Sequence, residues 1–128
     1  MVFGNARVFR NAKIYGNAWI FGNAGIYDNA KVHDSADVFG DARIYDTADV
    51  FGDVIVCDNV SVHDNAKIYG TAYVYGNAEV FGNAKICGNV IVCDKAKVCG
   101  NAIVFDNFIV HDDMEICGDS KIQGSKKV

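Results

Sequence analysis

From Val2 to Ile122 every sixth residue is valine or isoleucine, 21 positions in a row with none inserted and none missing. Four residues after each stands a small residue, alanine from Ala6 through Ala48, with larger substitutes at Val54, Val60, Val90, Phe108 and Met114. Between the two come Gly or Asp and then usually Asn, as in Gly16-Asn17, Gly22-Asn23 and Asp28-Asn29. A period of six fits neither the 3.6 of an α-helix nor the seven of a coiled coil, but it is three times the strand period of two. Each hexad is therefore a short strand plus a corner. In Ala18-Trp19-Ile20-Phe21, Ala18 and Ile20 face one way and Trp19 and Phe21 the other. Gly, Asn and Asp then tolerate the left-handed backbone that a tight corner needs. Three strands and three corners close an 18-residue triangular coil. Stacking such coils about 4.8 Å apart pairs each strand with the ones above and below.

An aliphatic residue followed four positions later by a small one is the signature of the hexapeptide-repeat, left-handed parallel β-helix proteins, which this sequence resembles over residues 2 to about 123. The resemblance supplies the left hand of the coil, since periodicity does not show it. The expected fold is all-β, a left-handed triangular parallel β-helix of about seven 18-residue coils. It is expected as one domain over residues 1–123, with a short basic tail at 124–128. Similar Val-aromatic-Gly-Asn-Ala arrays occur in transferase-like proteins and in bacterial and phage proteins. The interior column Ala18, Ala36, Val54, Ala72, Val90 and Phe108 widens toward the C-terminus. A charge at Val56 or Val74 would unfold the coil.

Taking the strands three at a time separates three outer faces. The first carries Trp19/Phe21, Asp37/Phe39, Ile55/Cys57, Tyr73/Tyr75, Ile91/Cys93 and Ile109/His111. The other two alternate charged residues with aromatics, as in Arg7/Phe9, Arg43/Tyr45, Lys13/Tyr15 and Lys67/Tyr69. Aromatic ladders account for those two faces through cross-strand stacking. On the first face Trp19, Phe21, Phe39, Ile55, Tyr73, Tyr75, Ile91 and Ile109 together form an apolar patch larger than soluble monomers normally expose, so they are expected to lie between subunits. Family members commonly assemble as trimers around parallel helix axes, and a trimer or a two-fold dimer would suit this face.

Composition adds little to that picture. The chain of 128 residues has no proline and 13 glycines, and its formal charge of -4 comes from interspersed residues rather than a basic patch. No nucleic-acid partner is expected. No run of about 18 apolar residues exists to span a bilayer, and no leader-like segment precedes the repeat, so no membrane partner and a cytoplasmic location are expected. The five cysteines, Cys57, Cys87, Cys93, Cys99 and Cys117, lack the C-x-x-C spacing of a structural zinc site and fit a reducing compartment. They occupy the aromatic slot and read as unpaired ladder-filling thiols, with a Cys99-Cys117 bridge as the alternative.

The resemblance also implies candidate chemistry. Enzymes of this fold are mostly acyltransferases using coenzyme A or acyl carrier protein, with a catalytic His between subunits and loops interrupting the repeat. No loop interrupts this one. His33, His63 and His111 each stand where other hexads hold Phe or Tyr, which reads as ladder filling. His111 is the candidate base, because it lies on the predicted interface face with Asp112 and Asp113 following. The gamma-class carbonic anhydrases of this fold bind zinc through histidines across a trimer interface. The three histidines here fall on three faces and distant coils, so no metal and no cofactor are expected.

Ranks of threonine for ice binding are absent, since only Thr47 and Thr71 occur. Tyr27, Arg43 and Tyr45 could stack on sugar rings, but ladders explain the same residues. At the ends, Lys121, Lys126 and Lys127 would resist an incoming coil, whereas Met1-Val2-Phe3 enters in register and is expected to permit end-to-end pairing. The resulting expectation is a structural or interaction rod that self-associates through its apolar face. The alternative is an acyl-CoA-dependent O- or N-acyltransferase whose site forms only between subunits.

Overall fold

The computed structural model describes residues 1–124. Of the expected tail, Lys126 and Lys127 included, only Gly124 falls within it. Twenty strands run from Arg7–Val8 to Lys121–Gln123, with no helix among the described residues. They form three parallel sheets of seven, seven and six strands. Each strand pairs with one eighteen residues on, as in Trp19↔Asp37 and Ile20↔Val38, or Tyr73↔Ile91 and Val74↔Val92. The chain thus visits the three sheets in rotation, giving the triangular parallel β-solenoid that the hexad dictates.

Most strands are two residues long, shorter than the four-residue runs of alternation, because the backbone begins to turn at the aromatic position. The hydrogen-bond ladder nevertheless continues around the corner. Phe21 N donates to Val38 O at 3.0 Å and Asn23 N to Gly40 O at 2.8 Å. Corner backbone is therefore satisfied by the next coil as fully as strand backbone is.

The interior is dry and wholly apolar. Ile20, Ile26, Val32, Val38 and their successors through Val110 have no exposed surface, and no polar side chain is buried among the described residues. Burying each such Val or Ile contributes about 1.5–3 kcal/mol. Val54, Val60 and Val90 fit fully within alanine slots. The corners before Val54 and Val90 open into bends at 52–53 and 88–89, whereas alanine corners close on a bond such as Ala30 N to Tyr27 O, 3.3 Å. Phe108, at the C-terminal end of the described coils, is half-buried and packed against the core, as Ile116 and Ile122 are.

The corners explain the choice between Gly and Asp. Eight aspartates, from Asp28 to Asp112, hold φ between 54° and 64°, the left-handed region that most side chains avoid. Several recover the cost by accepting a hydrogen bond from the corner N–H of the coil above. Asp58 accepts from Gly76 N at 3.0 Å, Asp64 from Gly82 N at 3.0 Å, and Asp94 from Asp112 N at 2.9 Å. At Gly70 a Cβ would come within 2.5 Å of Gly88 N, so glycine alone fits that stack. Beside the corners run amide rows in which Asn65 donates to Asn83 and Asn83 to Asn101, each at 3.2 Å.

Candidate functional site

The six-stranded sheet carries the first face. Its outward column reads Trp19, Asp37, Ile55, Tyr73, Ile91 and Ile109 in register. Trp19, Tyr73 and Ile109 are 46%, 39% and 51% exposed, while Ile55 and Ile91 between them are half-buried. Asp37 separates Trp19 from the rest, so the continuous apolar run is Ile55 to Ile109. Phe21 and Phe39 stack at 4.8 Å beside it, and Tyr75 packs against Tyr73 with centroids 4.6 Å apart. All eight residues expected at an interface thus share one flat face. Trp19 packs edge to face on the Phe3 ring, with centroids 5.6 Å apart.

The aromatic slots of the other two sheets build two unbroken ladders. One runs Phe9, Tyr27, Tyr45, His63 and Phe81 with centroid spacings of 4.8–5.2 Å. The other runs Tyr15, His33, Phe51 and Tyr69 at 4.5–5.0 Å. Within them His33 Nε2 meets Asp49 at 2.9 Å and His63 Nε2 meets Glu79 at 2.9 Å. Their Nδ1 atoms lie 3.3 Å from Asp34 and Asp64. A ring stacked on both faces and held at both nitrogens fills a ladder and has no nitrogen free to act as a base. Asp64 itself is slightly buried, which pushes its carboxyl up. The Gly82 N–H and then His63 outweigh that and hold it below the usual carboxylate range.

His111 differs. Its Nδ1 bonds Asp112 at 3.1 Å, its ring is 45% exposed, and Nε2 has no partner among the described residues. It sits at the edge of the apolar face, after Ile109–Val110. The structure places the three histidines on three different sheets, as the hexad count requires. It also reveals a signal left unused in the sequence, because each histidine is followed by aspartate. That aspartate takes the left-handed corner and orients the ring.

The cysteines divide in two. Cys99 and Cys117 are joined in a disulfide, with Cα atoms 4.5 Å apart. The expectation of unpaired thiols is corrected at these two positions, since in-register strands bring the Cα atoms within the range a disulfide spans. Cys57, Cys87 and Cys93 are free. Cys57 is 3% exposed beneath the first face. Burial, and next Asp58, push its thiol up, although a hydrogen bond with Tyr73 partly opposes this. The Tyr73 phenol is pushed up in turn, by Cys57 first and then by burial. A thiol raised in this way is poorly nucleophilic.

Two mixed groups could offer ligand atoms to a cation, Asp46 with His63 and Asp64, and Asp94 with His111 and Asp112. Neither the histidine positions nor the cysteine spacing in the sequence points to these groups, because the corner aspartates complete them. In the first, Asp46 and Asp64 already accept from the corner N–H groups of Asp64 and Gly82. In the second, Asp94 accepts from Asp112 N.

Comparison with known proteins agrees with the architecture. A family model described as the YdcK beta solenoid repeat matches residues 96–112, just under one coil. Among solved structures the chain is similar to a hexapeptide transferase family protein from Anaplasma phagocytophilum. That match has 19% identity and a TM-score of 0.51, covering 82% of this chain and 69% of that one. No curated protein matches the sequence. A likeness at this identity speaks for the solenoid fold.

Proposed function

We infer that the chain is a β-solenoid rod that self-associates through its first face, with a second copy of the same chain as the occupant. One observation carries this. Of the three outward strand columns, only that of the first face holds no lysine or arginine, whereas the others carry Arg7, Arg43 and Lys97, or Lys13, Lys31, Lys67, Lys85 and Lys121. A flat, apolar, charge-poor surface suits its own copy about a two-fold or three-fold axis and would be unfavourable left in water. Uniform coils suit assembly, because each adds the same strip of surface.

The single tryptophan gives the test. Trp19 lies on this face, on the far side of Asp37 from the Ile55 to Ile109 run, so assembly is expected to shift its emission toward that of a shielded indole. Emission independent of concentration in a protein with the mass of a single chain would overturn the reading.

A second reading is favoured by the His111–Asp112 pair, an imidazole oriented at Nδ1 with Nε2 open at the margin of the face. Such a pair, completed by a second subunit, could serve as general base in acyl transfer, the activity class suggested by the hexapeptide transferase likeness. Turnover of acetyl-coenzyme A with amine or sugar acceptors, abolished in His111→Asn, would support it. Turnover retained in that variant would remove it.

A further inference from the structure

Gly25 is an unusual glycine in this chain. It lies in the strand Gly25–Ile26, not at a corner, and it is absent from the residues with positive φ. A Cβ built on it would meet only the Tyr27 ring, at 3.8 Å. Neither backbone geometry nor packing therefore requires glycine here, and the equivalent position in the neighbouring coils is Arg7 on one side and Arg43 on the other. Glycine in a strand interior weakens the strand and often marks a place where a ligand approaches closely.

Its effect is to open a notch between two guanidinium-bearing side chains. The flanking arginines stand two coils apart, about 10 Å at ordinary strand spacing. The notch belongs to a shallow groove of about 870 Å³ on the second face, with Phe9 and Tyr27 along one side and Asn5, Asn23, Asp41 and Asn59 along the other. The two rings stack at 4.9 Å to form a continuous apolar wall. Arg10 pairs with Asp28 at 3.5 Å, but neither Arg7 nor Arg43 has a carboxylate within ion-pair distance among the described residues. Unpaired guanidiniums offer fork-shaped donors suited to a planar oxyanion.

We propose that the Arg7–Gly25–Arg43 notch binds an acidic saccharide, with a uronate-type carboxylate held between the guanidiniums and a sugar ring lying on the Phe9–Tyr27 wall. Three features favour this over a densely charged phosphate ligand. The amide row supplies both donors and acceptors for hydroxyls. Asp41 accepts from a hydroxyl and disfavours the two charges that a phosphate dianion places on one site. Stacking on tyrosine suits a pyranose face.

The test is an NMR titration of the intact chain with tetragalacturonate, with neutral maltotetraose and inorganic phosphate as separate arms. Expected are shifts of the Gly25 and Tyr27 amides and of the Arg7 and Arg43 Nε–H resonances, with affinity at least tenfold above that for maltotetraose. Arg7→Ala and Arg43→Ala should each lower affinity at least tenfold. Gly25→Val, which fills the notch with a residue that strands favour, should abolish it while circular dichroism stays as in the native protein and thermal stability is equal or higher. The proposal is overturned if tetragalacturonate binds Gly25→Val as well as the native chain, if phosphate binds as tightly as the saccharide, or if no resonance of the notch moves.

Discussion

His63 Nε2 and the Glu79 carboxylate meet at 2.9 Å although sixteen residues separate them. The same offset joins His33 to Asp49. In each case a side chain in the aromatic slot leans across to the outward strand residue of the next coil. This diagonal ties neighbouring coils together outside the backbone ladder. A double-mutant cycle with His63→Phe and Glu79→Gln should give a coupling of about 1 kcal/mol, read from denaturant unfolding. Additive single effects would mean that the contact contributes nothing.

Acid should act on the same region. The folded Asp64 carboxyl titrates below its unfolded value, so its contribution to stability is complete above that value, about 3.9, and is lost as pH falls through the folded one. Asp64→Asn should therefore lower stability at neutral pH and narrow the difference from the native protein as pH falls below about 4. Melting curves across that range check it. An equal deficit at every pH would contradict the linkage.

The core tolerates no charge. Val56 and Val74 have no exposed surface and no polar neighbour inside the coil. Val56→Asp should cost more than about 4 kcal/mol and abolish cooperative unfolding seen by circular dichroism. A variant that melts within a few degrees of the native chain would show that the interior is wetter than described.

Thiol counting tests the bridge. Unfolded without reductant, the chain should present three reactive thiols, Cys57, Cys87 and Cys93, and five after reduction. The loop closed by Cys99 and Cys117 spans eighteen residues, for which chain entropy gives a stabilisation of about 3 kcal/mol. Five reactive thiols before reduction would mean that the bridge does not form.

Much of this was legible in the sequence because the inward side chains follow from periodicity alone. Ala18 and Ile20 must point inward once alternation begins, and a closed coil of three hexads forces Trp19 to pair with Asp37. The histidines fall on three faces by the same count. What periodicity cannot supply is the direction of outward side chains at strand ends. It therefore missed the lean of His63 toward Glu79 and the burial of Cys57, and it offered the union of Cys99 with Cys117 only as the alternative. It also missed Gly25, whose meaning lies in its backbone angle and its neighbours rather than in its identity.

We propose that copies of this chain meet through the column Ile55, Tyr73, Ile91 and Ile109. The most direct measurement is solution mass by light scattering on the native protein and on Tyr73→Lys/Ile91→Lys, two positions that pair in register. Both point outward, so the double variant should keep its β-rich circular dichroism. A native dimer or trimer and a folded monomeric variant are expected. A native monomer, or a folded variant with undiminished mass, would contradict the proposal.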